Sequence, residues 1–143
     1  MKYLAIDFGK KRIGLALGSL IPYGAGFKDG EKIERAIEEI ALLCRHDDVD
    51  GIVVGLPKRS QGEPGTLEKE IRHFAKEINH KTKLPVYFEE EQFTSAEAEA
   101  EFRERSKRRF KPGQVDELAA VFILERFLER KGDENLKPDI GVL

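Results

Sequence analysis

The sequence has no tryptophan, one methionine and one cysteine among 143 residues. A lone Cys44 cannot close an internal disulfide, and no Cys/His cluster has zinc-site spacing, so packing alone must hold the scaffold. That fits a reducing compartment, and a cytoplasmic location is expected. No apolar run approaches the ~20 residues of a membrane span, and Met1-Lys2-Tyr3-Leu4-Ala5-Ile6-Asp7 meets a charge too soon for a signal peptide. No membrane partner is expected. Charge bias is missing too: 25 basic side chains stand against 27 acidic ones, so any affinity for a polyanion must come from a local patch.

What the chain does have is 40% apolar residues, enough for one core and too many for an intrinsically disordered chain. Residues 1–143 read as one domain, with 132–143 as a polar tail. Two short apolar runs, residues 3–8 and 13–19, flank Gly9-Lys10-Lys11-Arg12 as a β-hairpin, and a third strand follows Pro22 to near Lys28. Asp29 is a plausible cap for a helix with the stripe Ile33, Ile37, Ile40, Ala41, Cys44. Gly51 to Leu56 reads as a strand buried on both faces. A polar loop from Pro57 to Gly65 leads to a helix starting at Thr66, read as its cap, with Leu67, Ile71, Phe74, Ala75 and Ile78 inward. A short strand at residues 85–88 runs into Glu89-Glu90-Glu91. Thr94-Ser95-Ala96-Glu97 reads as a capping box, followed by the basic stretch from Arg103 to Lys111 and a break at Pro112-Gly113. The last helix carries Val115, Leu118, Phe122 and Leu128 on one face and stops near Gly132. The order β-β-β-α-β-α-β-α-α implies an α/β three-layer sandwich: a five-stranded mixed sheet with helices on both faces.

Three acidic positions stand out. Asp7 closes the first strand just before Gly9, where the alternative is an Asx-turn role. Glu90 and Glu91 follow a strand end, the usual ligand edge of open α/β sheets, with a solvated acidic loop as the alternative. Asp116 follows a helix-breaking pair, where the helix dipole alone would favour an acid. Taken together, carboxylates from a first strand, a later strand end and a helix start could converge to hold Mg²⁺ or Mn²⁺, the apparatus of phosphodiester hydrolysis. Between two of them lie Arg103, Arg105, Lys107, Arg108, Arg109 and Lys111 against Glu101 and Glu104, a phosphate-binding patch or a solvated basic loop. Phe102 and Phe110 bracket it, as base-stacking rings or core anchors. Arg12, and Lys58 with Arg59, are further phosphate contacts. His46, His73 and His80 have no metal spacing.

Four motifs in order, Asp7-Phe8-Gly9-Lys10-Lys11-Arg12-Ile13-Gly14, Val54-Gly55-Leu56-Pro57 with Gly62 and Gly65, Glu90 to Glu99, and Val115-Asp116-Glu117-Leu118-Ala119-Ala120, closely resemble the YqgF family over residues 2–131. The resemblance implies an RNase H-like fold, and an activity described as a candidate pre-16S ribosomal RNA nuclease of ribosome biogenesis or, by older analogy, a Holliday junction resolvase. It also implies Asp7, Glu91 and Asp116 as a catalytic, metal-binding triad. The chain departs from the family's pattern at Gln92, where an arginine is usual, and at Arg59-Ser60-Gln61-Gly62, where Asn-Met-Asp-Gly is common.

The expected function is therefore metal-dependent cleavage of structured RNA, with precursor rRNA or ribosomal particles as partners. Branched DNA remains an alternative substrate, since both present closely spaced phosphates. A non-catalytic RNA-binding module also stays open. An Asp-x-Gly hairpin opens actin-like ATPases as well, but those need two such domains and a hydroxyl residue where this chain has Lys10-Lys11.

Overall fold

The computed structural model describes residues 1–57, 65–90, 96–133 and 136–141. Among these, strands β1 (Tyr3–Asp7), β2 (Arg12–Gly18), β3 (Tyr23–Asp29), β4 (Gly51–Leu56) and β5 (Val86–Glu90) form one sheet in the order β3-β2-β1-β4-β5. β1, β2 and β3 pair antiparallel, whereas β4 and β5 run parallel to β1. The helices are α1 (Ile33–His46), α2 (Thr66–Thr82), α3 (Ala96–Arg109) and α4 (Pro112–Asp133). The mixed five-stranded sheet and the element order are those expected. No helix among the described residues is long and apolar enough to cross a membrane.

Strand alternation divides the core in two. Leu4, Ile6, Ile13, Leu15, Ile52 and Val54 face the stripes of α1 and α2, including Ile37, Ile40, Ile71, Phe74 and Ile78. The opposite face presents Tyr3, Ala5, Ala16 and Val53, over which α4 lays Ala120, Ile123, Leu124 and Phe127. The alanines let this helix lie close to the sheet, and Phe127 meets the rings of Tyr3 and Tyr87 at 5.0 and 5.1 Å.

Several local expectations are corrected. Asp29 ends β3 and its Oδ1 accepts the Glu31 amide as an Asx turn, while α1 starts at Ile33 without a side-chain cap. Thr66 is the first helical residue of α2, preceded by Gly65 as cap. Leu67 turns to solvent; the neighbouring Glu68 is buried instead, its carboxylate 2.8 Å from Arg72 one turn on. On α4, Phe122 points away from the sheet and packs its ring 5.5 Å from that of Phe102 on α3. Apolar residues encircle α4, so periodicity could not choose its inner face; the small residues of β1 and β2 do. Pro112 opens α4 rather than interrupting it, since its fixed φ and missing N–H suit a first helical position. The basic stretch through Arg109 is the second half of α3, not a segment following it. The polar tail docks: Ile140 bridges Val86, Asp139 Oδ2 accepts the Phe88 amide at 2.8 Å, and Asn79 Nδ2 donates to the Gly141 carbonyl at 2.8 Å. These contacts cover part of the outer edge of β5. The expected capping residues Thr94 and Ser95 lie outside the described residues.

Candidate active site

Asp7 is the last residue of β1 and is 6% exposed. Because β1, β4 and β5 are parallel, it sits at the edge where all three end. Its ladder partner is Gly14, and directly opposed residues of an antiparallel pair face the same side, here the side of α4. A β-carbon on Gly14 would stand 2.0 Å from the Asp116 carbonyl oxygen, so α4 crosses directly over the missing side chain. Asp116 precedes the buried Ala120 by one turn and shares its sheet-facing stripe. The structure thus sets the backbone of Asp116 over Gly14, the ladder partner of Asp7, although the two acids are far apart in the chain. With α4 beginning at Pro112, Asp116 is already past the first turn, where the helix dipole acts. A second contact fixes this end of α4, for Glu117 Oε2 accepts the Gly26 amide at 2.6 Å and its side chain fills the space beside Gly24.

Both acids lie against arginines. Arg12 is two residues before Gly14 on β2 and so points to the same face, where its Nε donates to Asp116 Oδ2 at 2.7 Å. Arg103, on α3, brings Nη2 to 3.8 Å from Asp7 Oδ2. Elsewhere on the basic segment, Arg105 pairs with Glu101 and Lys107 with Glu104 along the helix. Arg108, Arg109 and Lys111 are exposed at its end. Phe102 is a packing residue against Phe122, while Phe110 is 40% exposed.

At the end of β5 the structure separates the acids. Tyr87 packs on the α4 side and Phe88 on the α1–α2 side, so alternation puts Glu89 on the face of Asp7 and the exposed Glu90 on the opposite face. Glu90 is therefore not brought to Asp7. Glu89 is 4% exposed and its Oε1 lies 2.8 Å from Nη2 of Arg130 on α4. Sequence reasoning passed over this pair and Glu117; the only signal for Glu89 was its alternation with Tyr87. Glu91, Lys58 and Arg59 lie outside the described residues, as do Gln61 and Gln92. Cys44 is a packing residue, as its place on an apolar stripe suggests: burial pushes its thiol pKa up to about 12.

Chemically, Asp7 and Asp116 offer oxygen donors, the kind that suit a hard divalent cation. Among the described residues no group of three potential ligands forms. A family model described as RuvX, Holliday junction resolvase, matches residues 1–130. The chain belongs to the RuvX family. RuvX and YqgF denote the same family, so the resemblance read from the four motifs holds. A relative from Koribacter versatilis is 36% identical over 141 residues, covering 96% of this chain and 92% of its own. One from Crocosphaera subtropica is 33% identical over 132 residues, covering 90% and 92%. Both carry the description "Putative pre-16S rRNA nuclease". Junction resolution and rRNA processing are both phosphodiester cleavage, and this RuvX-family chain is a nuclease-type hydrolase.

Solved structures agree on the fold. Fowlpox virus resolvase in complex with Holliday junction DNA aligns with a TM-score of 0.61 at 14% identity, covering 92% of this chain and 99% of that one. RuvC of Thermus thermophilus in complex with a Holliday junction aligns with a TM-score of 0.58 at 13% identity, covering 96% and 99%. The RNase H-like architecture expected from the resemblance is the one observed.

Proposed function

We propose that this protein is a divalent-metal-dependent nuclease that processes the 5′ end of precursor 16S ribosomal RNA in the cytoplasm, with Asp7, Asp116 and Glu91 as its catalytic, metal-binding acids. The observation that carries the reading is the approach of α4 over Gly14, which sets Asp116 beside the ladder partner of the buried Asp7. Mg²⁺ or Mn²⁺ held by such oxygen donors would activate water, neutralise the phosphate and stabilise the leaving oxygen. The chain's own groups supply the rest. Glu117 fixes the start of α4 and hence the position of Asp116. Arg12 and Arg103 lie at the acids themselves, where a scissile phosphate would meet them. Arg105, Lys107, Arg108, Arg109 and Lys111 on and beside α3, with Lys58 and Arg59, bind the flanking backbone through charge rather than sequence.

The RNA substrate and the link to ribosomal particles follow the description carried by the curated relatives. A second reading, cleavage of branched DNA, is favoured by the description of the family model. One experiment separates them: end-labelled precursor rRNA and a synthetic four-way DNA junction are incubated with Mg²⁺, Mn²⁺ or chelator, using wild type, Asp7→Asn and Asp116→Asn. The proposal expects metal-dependent cleavage of the RNA that both variants lose. Cleavage of the junction alone would transfer the activity to DNA. Binding of RNA without cutting, equal in all three proteins, would refute the nuclease and leave a binding module.

A further inference from the structure

A carboxylate that is to hold a divalent ion must present its lone pairs, yet Asp116 Oδ2 already accepts a charge-assisted hydrogen bond from Arg12 Nε at 2.7 Å. Asp7 Oδ2 has the guanidinium of Arg103 at 3.8 Å. An incoming cation meets two costs at this site: it competes for the oxygen that Arg12 holds, and it enters beside fixed positive charges that repel it. The same arginines are suited to a second partner. Each side chain is about one third exposed, 35% for Arg12 and 34% for Arg103, so both arginines border solvent as well as an acid. Guanidinium carries five donors in a fork that matches phosphate as well as carboxylate.

We infer that Arg12 and Arg103 are internal counterions of the metal-binding acids, exchanged from carboxylate to phosphate when nucleic acid arrives, so that nucleic acid and divalent cation bind cooperatively. The inference rests on the metal-site reading above. Nucleic acid draws the guanidinium groups outward, and the released carboxylate oxygens then take the cation. By linkage, the factor by which nucleic acid raises cation affinity equals the factor by which the cation raises nucleic-acid affinity. Arg12 and Arg103 act in this as positioning residues of the acids and as phosphate contacts in turn.

The test measures Mn²⁺ binding to the full chain without nucleic acid, by paramagnetic resonance of free Mn²⁺, for wild type, Arg12→Gln, Arg12→Lys, Arg103→Gln and the pair Asp7→Asn and Asp116→Asn. Thermal melts check that each variant is folded. Removing a counterion should tighten Mn²⁺ binding roughly tenfold in Arg12→Gln, within the range typical of site–site coupling, and less in Arg103→Gln, whose contact is longer. Arg12→Lys, which keeps the charge, should stay near wild type. In a second arm, the affinity of a fluorescein-labelled RNA hairpin is followed by anisotropy with and without Mn²⁺; the enhancement seen in wild type should shrink in Arg12→Gln. A purely structural role for Arg12 would weaken Mn²⁺ binding when removed, the opposite sign. If the Asp variants lose Mn²⁺ binding but neither arginine variant gains any, the counterion inference is overturned and the metal site stands. If the Asp variants bind Mn²⁺ as wild type does, both readings fall.

Discussion

Gly14→Ala isolates the geometric basis of the site, because it adds one methyl group where α4 passes over β2. The new carbon would lie 2.0 Å from the Asp116 carbonyl oxygen and 2.3 Å from its carbonyl carbon, whereas real contacts of this kind stay above 3.0 Å. Both neighbours are backbone, so no side chain can swing away. The start of α4 must lift from β2 by about 1 Å, the difference between those two distances. Overpacking of this size costs ~1–3 kcal/mol, which for a chain of this length lowers Tm by roughly 3–12 °C. The larger effect is chemical. Asp116 rides on the displaced turn while Asp7 stays on β1, and a misplacement of ~1 Å at a reacting centre can cost ~10²-fold in rate. Circular dichroism melts and cleavage of whichever substrate the wild type cuts read the two effects separately. Gly132→Ala is the control, since a β-carbon there meets nothing within 4 Å and a helical alanine gains up to ~1 kcal/mol over glycine. A Gly14→Ala protein with wild-type Tm and wild-type cleavage would refute the idea that this approach sets the site.

Arg130→Ala leaves the 4%-exposed Glu89 carboxylate without its ion pair. Breaking a buried pair costs ~3–5 kcal/mol, and since Arg130 is 37% exposed solvent screening brings the loss in urea titration below that range, to about 2–3 kcal/mol; an unchanged midpoint would refute the pairing. The Cys44 thiol, with its pKa pushed up to about 12, should stay unreacted with Ellman's reagent at pH 8 in the native protein and react fully in urea. Hydrogen bonds from Lys28 and Arg35 hold the Glu39 carboxyl below its ordinary pKa. Its contribution to stability is present above the unfolded-state value and disappears as pH falls through the folded one. Glu39→Gln should therefore lower Tm at neutral pH and match wild type in strong acid; an equal deficit at both would contradict it.

The strands were legible because each apolar run is bounded by turn residues and the buried β4 contains no polar side chain at all. The α1 and α2 stripes were legible for the same reason, since one face of each is apolar and the other charged. α4 was not, because Leu118, Phe122 and Leu128 compete with Ala120, Ile123 and Phe127, and only the surface beneath decides between them. For the basic segment the helical signal was present and unread: Glu101 with Arg105 and Glu104 with Lys107 stand at helical pair spacing. Asp7 and Asp116 could be picked out by their places at a strand end and after a Pro-Gly. Their meeting could not, because it depends on the Asp7–Gly14 register, which is a property of the folded ladder.

That register also explains why Glu89, on the same face and at the same level, is a separate structural pair. Ile6 is level with Val54, so Asp7 falls level with Gly55, which pairs with Glu89. Gly14, Asp7, Gly55 and Glu89 thus form one row across β2, β1, β4 and β5. Two strand spacings, ~10 Å, part Asp7 from Glu89, and the gap is filled by Ile123, whose Cδ1 lies 2.5 Å from where a Gly55 β-carbon would be. α4 reads this row at intervals of seven residues: Asp116 over Gly14, Ile123 over Gly55 and Arg130 at Glu89. Seven residues are close to two turns, so the three share a face. From 116 to 130 the helix rises ~21 Å, more than the ~14 Å of the row, and the long Arg130 side chain, leaning back toward the helix N-terminus, makes up the difference. One helix face therefore delivers an acid to the end of the row beside Asp7, an apolar plug to its middle and a base to its far end. The plug keeps the two carboxylates of the sheet apart, each with its own arginine partner. The far end of α4 is thus held by contacts separate from those at Asp7.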